Sequence, residues 1–299
     1  MTTVKQEETI DPTRGERLPA WLPAHLSHSQ ISKYRQCGKA YELAYREGVP
    51  SIPSGAGIGG STVHKVIEVC EAEGLWRDLN AFGEGGGVED LFRGMFTYLV
   101  EEAFDTSPYP VRWGTRKSKE FPEGEAVRWW WKMGPMFLRR YASLRQIDQE
   151  HGIKVLEGDV ERAVGVHLDI ESEPVLIKGY IDAVMMVDEE TGEGIIRDYK
   201  TGTWLDPTQL AVYAWMLSKD PKRPWTITRG EFGYLRGANQ DAWIKSYDLT
   251  DWVPLVPMFF REAAEGIASG YFPHNPTSLC SSCLVKKSCK YGITLGEET

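Results

Sequence analysis

Two β-forming segments separated by a turn constrain the fold of this chain more than any other feature. VLIKGYIDAVMMV at 175–187 is rich in β-branched residues, and IIRDYK at 195–200 follows it after the turn-forming stretch DEETGEG. This pattern is typical of a β-hairpin. Folding about the turn brings Asp182 near Asp198, in a register that the sequence alone does not set. Because Asp198 and Lys200 are two residues apart on one strand, their side chains point to the same face.

Helix and strand signals on both sides of the hairpin predict a mixed architecture. Helices are predicted near Ser29, from Ser61, at 88–104, at 124–148, after the N-cap and proline pair Asp206–Pro207, and from Asp251 to Gly270. Strands are predicted from about residue 154 onward, and again near 229–236 and 243–249. The glycine-rich stretch SIPSGAGIGGS before Ser61 is predicted to be a loop. This order predicts an α/β fold with a mixed central sheet flanked by helices.

The length and composition of the chain fit one large domain with a sizeable core. Of the 299 residues, we predict a single domain over 26–290 that contains a helical insertion at 72–150, with a flexible N-terminus at 1–25 and a tail at 291–299. The net charge of −9 argues against a broad basic surface that coats nucleic acid. No apolar run approaches the roughly 20 residues that span a bilayer, and no signal-peptide core is present. We therefore expect a cytoplasmic protein with no membrane partner.

The acidic residues and the lysine of the hairpin suggest a chemistry. Two carboxylates at one point repel each other unless a cation lies between them, and Mg²⁺ or Mn²⁺ favours such oxygen ligands. A lysine beside the metal can orient a water and stabilise the charge that develops on a phosphoryl group. Taken alone, a D-x-K pattern is more often a solvated strand edge, and a lone helical histidine such as His64 is usually structural. Gln209 and Tyr213 share a helix face, which alone indicates a surface more often than a site.

Four short motifs occur in an order that narrows these alternatives. They are G-S-T-V-H at 60–64, G-Y-I-D at 179–182, D-Y-K-T-G at 198–202 and Q-L-A-V-Y at 209–213. Together they resemble the RecB-like branch of the PD-(D/E)XK nuclease superfamily, over about residues 27–290. The resemblance implies a restriction-endonuclease-like fold and a set of site residues. The implied metal ligands are His64, Asp182, Asp198 and the backbone carbonyl of Tyr199. The implied catalytic residues are Asp182, Asp198 and Lys200, and the implied supporting and DNA-contacting residues are Gln209 and Tyr213.

Four of the five cysteines are spaced like metal ligands. They are Cys37, Cys280, Cys283 and Cys289, of which the last three form C-x₂-C-x₅-C. Zinc and a [4Fe–4S] cluster both accept four cysteines, and spacing alone favours zinc. One N-terminal and three C-terminal cysteines around such a nuclease resemble the AddB-type and CRISPR-associated (Cas-four type) iron–sulfur exonucleases. This resemblance implies an iron–sulfur staple between Cys37 and a cluster-binding tail at 271–290. Cys70 completes an apolar helix stripe and is predicted to lie in the core.

The residues and the resemblance together predict a Mg²⁺- or Mn²⁺-dependent deoxyribonuclease. By resemblance, we expect exonuclease action on single-stranded or frayed DNA ends, in recombination, repair or DNA processing in a bacterial, archaeal or phage-infected cell. The sequence leaves open whether the protein forms homo-oligomers or binds CRISPR or recombination partner proteins. Core packing is favoured for the run Trp129–Trp131 over a base-stacking platform, because consecutive helical residues point in different directions. The alternative function is a catalytically silent DNA-binding or scaffolding module with a structural iron–sulfur or zinc site.

Overall fold

The computed structural model describes residues 22–170, 173–188, 190–191, 193–220 and 226–292, without the side chains of 156–159, 173 and 241. Its α-helices are α1 (His28–Gln36), α2 (Gly38–Tyr41), α3 (Gly55–Ala72), α4 (Gly87–Thr106), α5 (Val127–Glu150), α6 (Pro207–Ser218) and α7 (Val256–Ala268). Its strands are β1 (Lys154–Ile170), β2 (Glu173–Asp188), β3 (Glu193–Lys200), β4 (Thr226–Tyr234) and β5 (Ile244–Asp248). No helix in the described ranges is both long and apolar enough to cross a membrane. The predicted flexible N-terminus and tail fall outside the described ranges, apart from residues 22–25 and 291–292.

The chain divides into two compact units. The first contains the described residues up to Val49, the segment His167–Ile177, and the described residues from Pro257 onward. The second contains Pro50–Val166 and Lys178–Val256. The first unit therefore holds the four cysteines that resemble cluster ligands, and the second holds the residues that resemble a nuclease site.

A mixed five-stranded sheet forms the centre of the fold, with the strand order β1-β2-β3-β4-β5. Strands β2 and β3 are antiparallel, as the hairpin pattern predicts. Strands β3 and β4 are parallel and are connected through α6, while β4 and β5 form a second antiparallel pair. The prediction of an α/β fold with a mixed central sheet flanked by helices is confirmed.

Helix α3 begins six residues earlier than predicted, so the prediction of a loop at SIPSGAGIGGS is wrong for the glycines. Ser54 is the N-cap and its side chain accepts a hydrogen bond from the backbone N–H of Gly57 at 3.3 Å. A Cβ atom at Gly55 would lie 2.3 Å from the ring of Trp113, and one at Gly59 would lie 2.3 Å from the ring of Trp130. The glycines therefore serve close packing of the helix against two tryptophans, which outweighs their low helix propensity.

The region predicted to be a helical insertion contains α4 and α5, which form a hydrophobic core with α3. Helices α4 and α5 supply about half of the buried residues of this core, which also contains Cys70 from α3. Trp129 and Trp130 are buried in it, whereas Trp131 is exposed. Core packing is therefore confirmed for two of the three consecutive tryptophans and for Cys70.

Two other helix boundaries differ from the predictions. The N-terminal helix is interrupted at Cys37, which has extended backbone between α1 and α2. The last helix begins at Val256 rather than near Asp251, after a 3₁₀ turn at Val253–Leu255. The prolines at 254 and 257 account for the delay, since a proline disfavours the interior of a helix and is accommodated best in its first turn.

Candidate functional site

Strands β2 and β3 bring the two predicted aspartates together. The register pairs Ala183 with Arg197, and one further step along both strands places Asp182 opposite Asp198. Both carboxylates are buried, with 7% and 2% of the residue surface exposed. Asp182 Oδ2 accepts a hydrogen bond of 2.7 Å from the backbone N–H of Tyr199. The prediction that the hairpin brings these two aspartates together is confirmed.

Helix α6 places Gln209 between Lys200 and Asp198. Lys200 Nζ lies 2.7 Å from Asp198 Oδ2 and donates to Gln209 Oε1 at 2.9 Å. Gln209 Nε2 in turn lies 2.7 Å from Asp198 Oδ1 and 3.0 Å from the Tyr213 hydroxyl, to both of which it donates. The helix starts where the sequence predicts, because Asp206 caps it by accepting from the backbone N–H of Thr208. The hydrogen bond from Gln209 to Tyr213 confirms that these two side chains share one face of α6.

Helix α3 contributes His64 to the other side of the aspartates. Val63, Val66 and Ile67 are buried on the apolar stripe of the helix, which leaves His64 on its flank. His64 Nδ1 lies 3.4 Å from Asp182 Oδ1. The structure thus brings His64 into the same cluster as Asp182, as the resemblance implies.

Glu161, on β1, is a site residue that the sequence reasoning missed. Its Oε1 lies 3.2 Å from His64 Nδ1. Within the described part of the chain, His64, Glu161 and Asp182 are the only group of three histidine, cysteine or acidic residues whose ligand atoms all lie within 4.8 Å of one another. Glu161 also has a positive φ of 46°. A non-glycine residue rarely adopts this conformation, and such strain concentrates at functional sites.

Burial and mutual repulsion set the electrostatics of the cluster. Burial, together with the charge of Asp182, raises the pKa of Asp198 to about 7, against the opposing effect of Lys200. Burial alone would lower the pKa of His64, but Asp182 and the hydrogen bond to Glu161 raise it well above its ordinary value. Burial and the charge of Asp198 also raise the pKa of Tyr213, which keeps its hydroxyl protonated. In the absence of a cation, Asp198 therefore holds a proton more tightly than an ordinary aspartate does.

The donor set fits a divalent metal ion. Carboxylate oxygens suit Mg²⁺ and Mn²⁺, and an imidazole nitrogen is a ligand for several transition metals. The acidic groups crowd into a buried space where a cation would offset their repulsion. His64, Glu161 and Asp182 could hold such an ion, with Asp198 beside them on the neighbouring strand.

The four predicted cluster cysteines line one cavity in the first unit. The cavity has a volume of about 240 Å³. The end of α1 and the start of α2 meet the tail through two hydrogen bonds, from Asn275 Nδ2 to Gln36 O at 2.9 Å and from Lys39 N to Pro273 O at 3.2 Å. Burial raises the pKa of the Cys283 thiol, and the neighbouring thiols of Cys289 and Cys37 raise it further. Among the described residues, no three cysteine sulfurs all lie within 4.8 Å of one another.

Comparisons with known proteins show what this chain is similar to. A profile of the PD-(D/E)XK nuclease superfamily matches residues 25–290. The Gene 69 protein of Mycobacterium phage D29 is 30% identical over 279 residues, which cover 88% of this chain and 95% of the phage protein. The Gene 69 protein of Mycobacterium phage L5 is 27% identical over 308 residues and covers 88% of this chain and 95% of its own length. The crystal structure of SSO0001 is 17% identical, with a TM-score of 0.35, over 52% of this chain and 68% of that chain.

The superfamily match extends over most of the chain and includes both units. It spans the strands that carry Asp182, Asp198 and Lys200 and the helices that carry His64 and Gln209. The chain belongs to the PD-(D/E)XK nuclease superfamily.

Proposed function

We propose that this protein is a Mg²⁺- or Mn²⁺-dependent DNA exonuclease that acts on single-stranded or frayed ends in recombination, repair or DNA processing. The observation that carries the proposal is the convergence of the D-Y-K strand with Asp182, Glu161 and His64. A nuclease site that had become a binding surface would not need this complete set. We therefore prefer catalysis to a silent DNA-binding module.

His64, Asp182 and Asp198 are the proposed metal ligands, with Glu161 and the backbone carbonyl of Tyr199 as further candidates. A bound divalent ion would polarise a phosphoryl oxygen and make a nearby water more acidic. The hydrogen bond from the Tyr199 N–H fixes one oxygen of Asp182, so the other oxygen faces His64. This arrangement presents preformed ligand atoms, which lowers the ordering cost of binding an ion.

Lys200 is the proposed catalytic lysine. Its ammonium group would orient the attacking water and stabilise the negative charge that develops on the phosphoryl oxygens. Gln209 holds Lys200 through its amide oxygen and Asp198 through its amide nitrogen, so one side chain sets the spacing between both groups. Tyr213 completes this support through its hydroxyl. We propose that Gln209 and Tyr213 also contact the DNA.

We also propose a [4Fe–4S] cluster on Cys37, Cys280, Cys283 and Cys289, as in the AddB-type and CRISPR-associated iron–sulfur nucleases that the chain resembles. The cavity of about 240 Å³ supports a polyatomic group, because a single water needs only about 10–15 Å³. Zinc on the same four cysteines is the alternative, and the resemblance to the iron–sulfur nucleases is the reason for preferring the cluster. Its proposed role is to fasten Cys37 to the C-terminal tail.

Cleavage of end-labelled single- and double-stranded DNA tests the nuclease proposal. Wild-type protein, purified without oxygen, should degrade single strands with Mn²⁺ or Mg²⁺ and be inactive in EDTA. Lys200→Ala should lose at least about 100-fold in rate, a typical cost of removing a group that stabilises developing charge. Lys245→Ala, which removes an exposed lysine from β5, is the matched control and should retain the activity. Equal cleavage by Lys200→Ala would refute the assignment, and DNA binding by folded protein without turnover would favour the binding module.

Metal analysis tests the cluster proposal. Anaerobically purified protein should contain about four iron and four acid-labile sulfide per chain and absorb broadly in the visible range. Cys283→Ala should lose both, whereas Cys70→Ala should retain them, because Cys70 lies in the core of the other unit. Stoichiometric zinc without sulfide would contradict the cluster and leave the nuclease proposal intact.

A further inference from the structure

Trp204 is the most exposed of the large hydrophobic side chains in the described ranges, with 81% of its surface accessible. A tryptophan offers a large, flat apolar surface that is normally buried. Within those ranges the indole stacks on no aromatic ring and contacts no cation. Exposure of such a ring to water is unfavourable in the free protein, and a ligand that covers the ring would remove this cost.

The position of Trp204 in the chain fixes it close to the nuclease-type site. It lies in the loop between β3 and α6, four residues after Lys200 and five before Gln209. The side chains of Lys200 and Gln209 are in contact at 2.9 Å, so the loop starts and ends at the site. Four residues span at most about 14 Å when fully extended, and this is the upper limit for the separation of the Trp204 and Lys200 Cα atoms.

The loop is anchored at both ends. Thr201 is buried, and its backbone carbonyl accepts a hydrogen bond of 2.9 Å from Arg236 Nε. Arg236 is held in turn by Glu125, with N–O distances of 2.9 and 3.2 Å. At the other end, Asp206 caps α6. Because both ends are fixed, Trp204 lies on a short loop whose two ends are held at the site.

A second exposed aromatic side chain accompanies the other aspartate. Tyr180 is 64% exposed and lies two residues before Asp182 on β2. Each of the two strands that carry an aspartate therefore has an exposed aromatic ring close by in sequence. This arrangement sets apolar rings beside a site whose acidic and basic groups suit a phosphodiester.

We propose that Trp204 is a stacking subsite for an unpaired nucleobase next to the phosphate that is cleaved. This inference rests on the proposed nuclease function and deepens it by naming the residue that would recognise an unpaired base. A base in a single strand exposes a face on which an aromatic ring can stack, whereas the faces of a paired base are covered by its neighbours in the duplex. The net charge of −9 weakens the general attraction to phosphates, which increases the relative contribution of stacking. Trp204 thereby selects single-stranded or frayed ends.

Binding measured without cleavage tests the subsite. The Lys200→Ala protein with Mn²⁺ is titrated into fluorescein-labelled DNA, either a single strand or the same strand in a duplex, and anisotropy gives the Kd. Adding Trp204→Ala should weaken single-strand binding by about 5- to 150-fold, the range of stacking on one base. It should change duplex binding less than about twofold. Trp204→Phe should retain most of the affinity.

Two controls separate stacking from a general loss of structure or charge. Trp252→Ala removes a partly exposed indole from the segment after β5, two strands away from β3, and should leave binding unchanged. A single strand that lacks a base near its end, at the position that stacks, should bind wild-type Trp204 and Trp204→Ala alike. Three results would each overturn the subsite. They are equal weakening of single-strand and duplex binding, no weakening of either, and no binding of single strands by the parent protein.

The outcome for the subsite is separable from the outcome for the nuclease. If the wild-type protein cleaves DNA but Trp204→Ala binds single strands as tightly as its parent, only the subsite is refuted. If no metal supports cleavage yet binding to single strands depends on Trp204, the nuclease proposal fails and only the stacking of an unpaired base on Trp204 stands.

Discussion

Asp148 is the central residue of a buried ion-pair network behind the strand that carries Asp198, and its removal gives a sharp stability prediction. It accepts from Arg197 Nη1 at 2.6 Å and Nη2 at 3.0 Å, and from Arg145 Nη1 at 3.3 Å. Arg145 also binds Glu71 at 2.5 Å, and Arg197 also binds Glu231 at 2.8 Å. The network therefore joins α3, α5, β3 and β4 in the second unit.

Asp148→Asn keeps the side-chain shape but removes the charge that two guanidinium groups share. Breaking a buried ion pair by removing one partner costs about 3–5 kcal/mol. Because Arg145 retains Glu71 and Arg197 retains Glu231, we expect the lower end, a loss of about 3 kcal/mol in the free energy of unfolding. For a chain of this size, that loss lowers Tm by about 5 °C.

Urea denaturation followed by far-UV circular dichroism at neutral pH, with a thermal scan alongside, measures the effect. Asp105→Asn is the matched control, because Asp105 is exposed at the end of α4 and its substitution should change stability by less than about 0.5 kcal/mol. A loss below about 1 kcal/mol for Asp148→Asn would refute the reasoning, since it would mean that water or the remaining acids compensate the buried arginines.

Three further predictions follow from the packing and the pKa shifts. Gly59→Ala should cost about 1–3 kcal/mol in a denaturation series, because the added Cβ would lie 2.3 Å from the Trp130 ring; an unchanged midpoint would contradict this contact. The metal-free protein should lose stability as the pH rises from about 5 to about 8, because the raised pKa values of Asp198 and His64 make the folded state bind protons more tightly than the unfolded chain; a Tm in EDTA that rises over this range would contradict the sign. The Cys70 thiol, buried and with its pKa raised to about 12, should resist iodoacetamide in the native state and react only after denaturation, as mass spectrometry would detect.

Local patterns predict the central part of the fold and the site because each pattern has one strong physical cause. The turn between 187 and 195 predicts an antiparallel pair that brings Asp182 near Asp198, whereas the register of the pair is set by the packed structure, which includes an irregularity between Met186 and Asp188. The Asp206–Pro207 pair sets the start of α6, and helical periodicity then places Gln209 and Tyr213 on one face. In these cases local chain geometry determines the contact.

Other features depend on contacts between distant segments, which the local pattern does not contain. The glycines of α3 indicate a loop by propensity, and only the tryptophan packed against Gly59 explains why they are helical. Glu161 belongs to no motif, and its backbone has a positive φ that no neighbouring residue predicts. A search for an acidic residue on the strand before the G-Y-I-D motif is the one sequence signal that could have found it.

The acidic charge of the chain and the use of its arginines bear on how it would hold DNA. Arg145 and Arg197 are buried in the ion-pair network, and Arg236 is occupied by Glu125 and the Thr201 carbonyl. These arginines hold the site together, so they are not free to neutralise phosphates. At the site itself, the proposed metal ion, Lys200 and apolar contacts such as Trp204 are then the groups that would hold DNA. These groups would all contact one short stretch of a DNA strand. Such contacts suit a protein that binds a DNA end rather than a long tract of duplex.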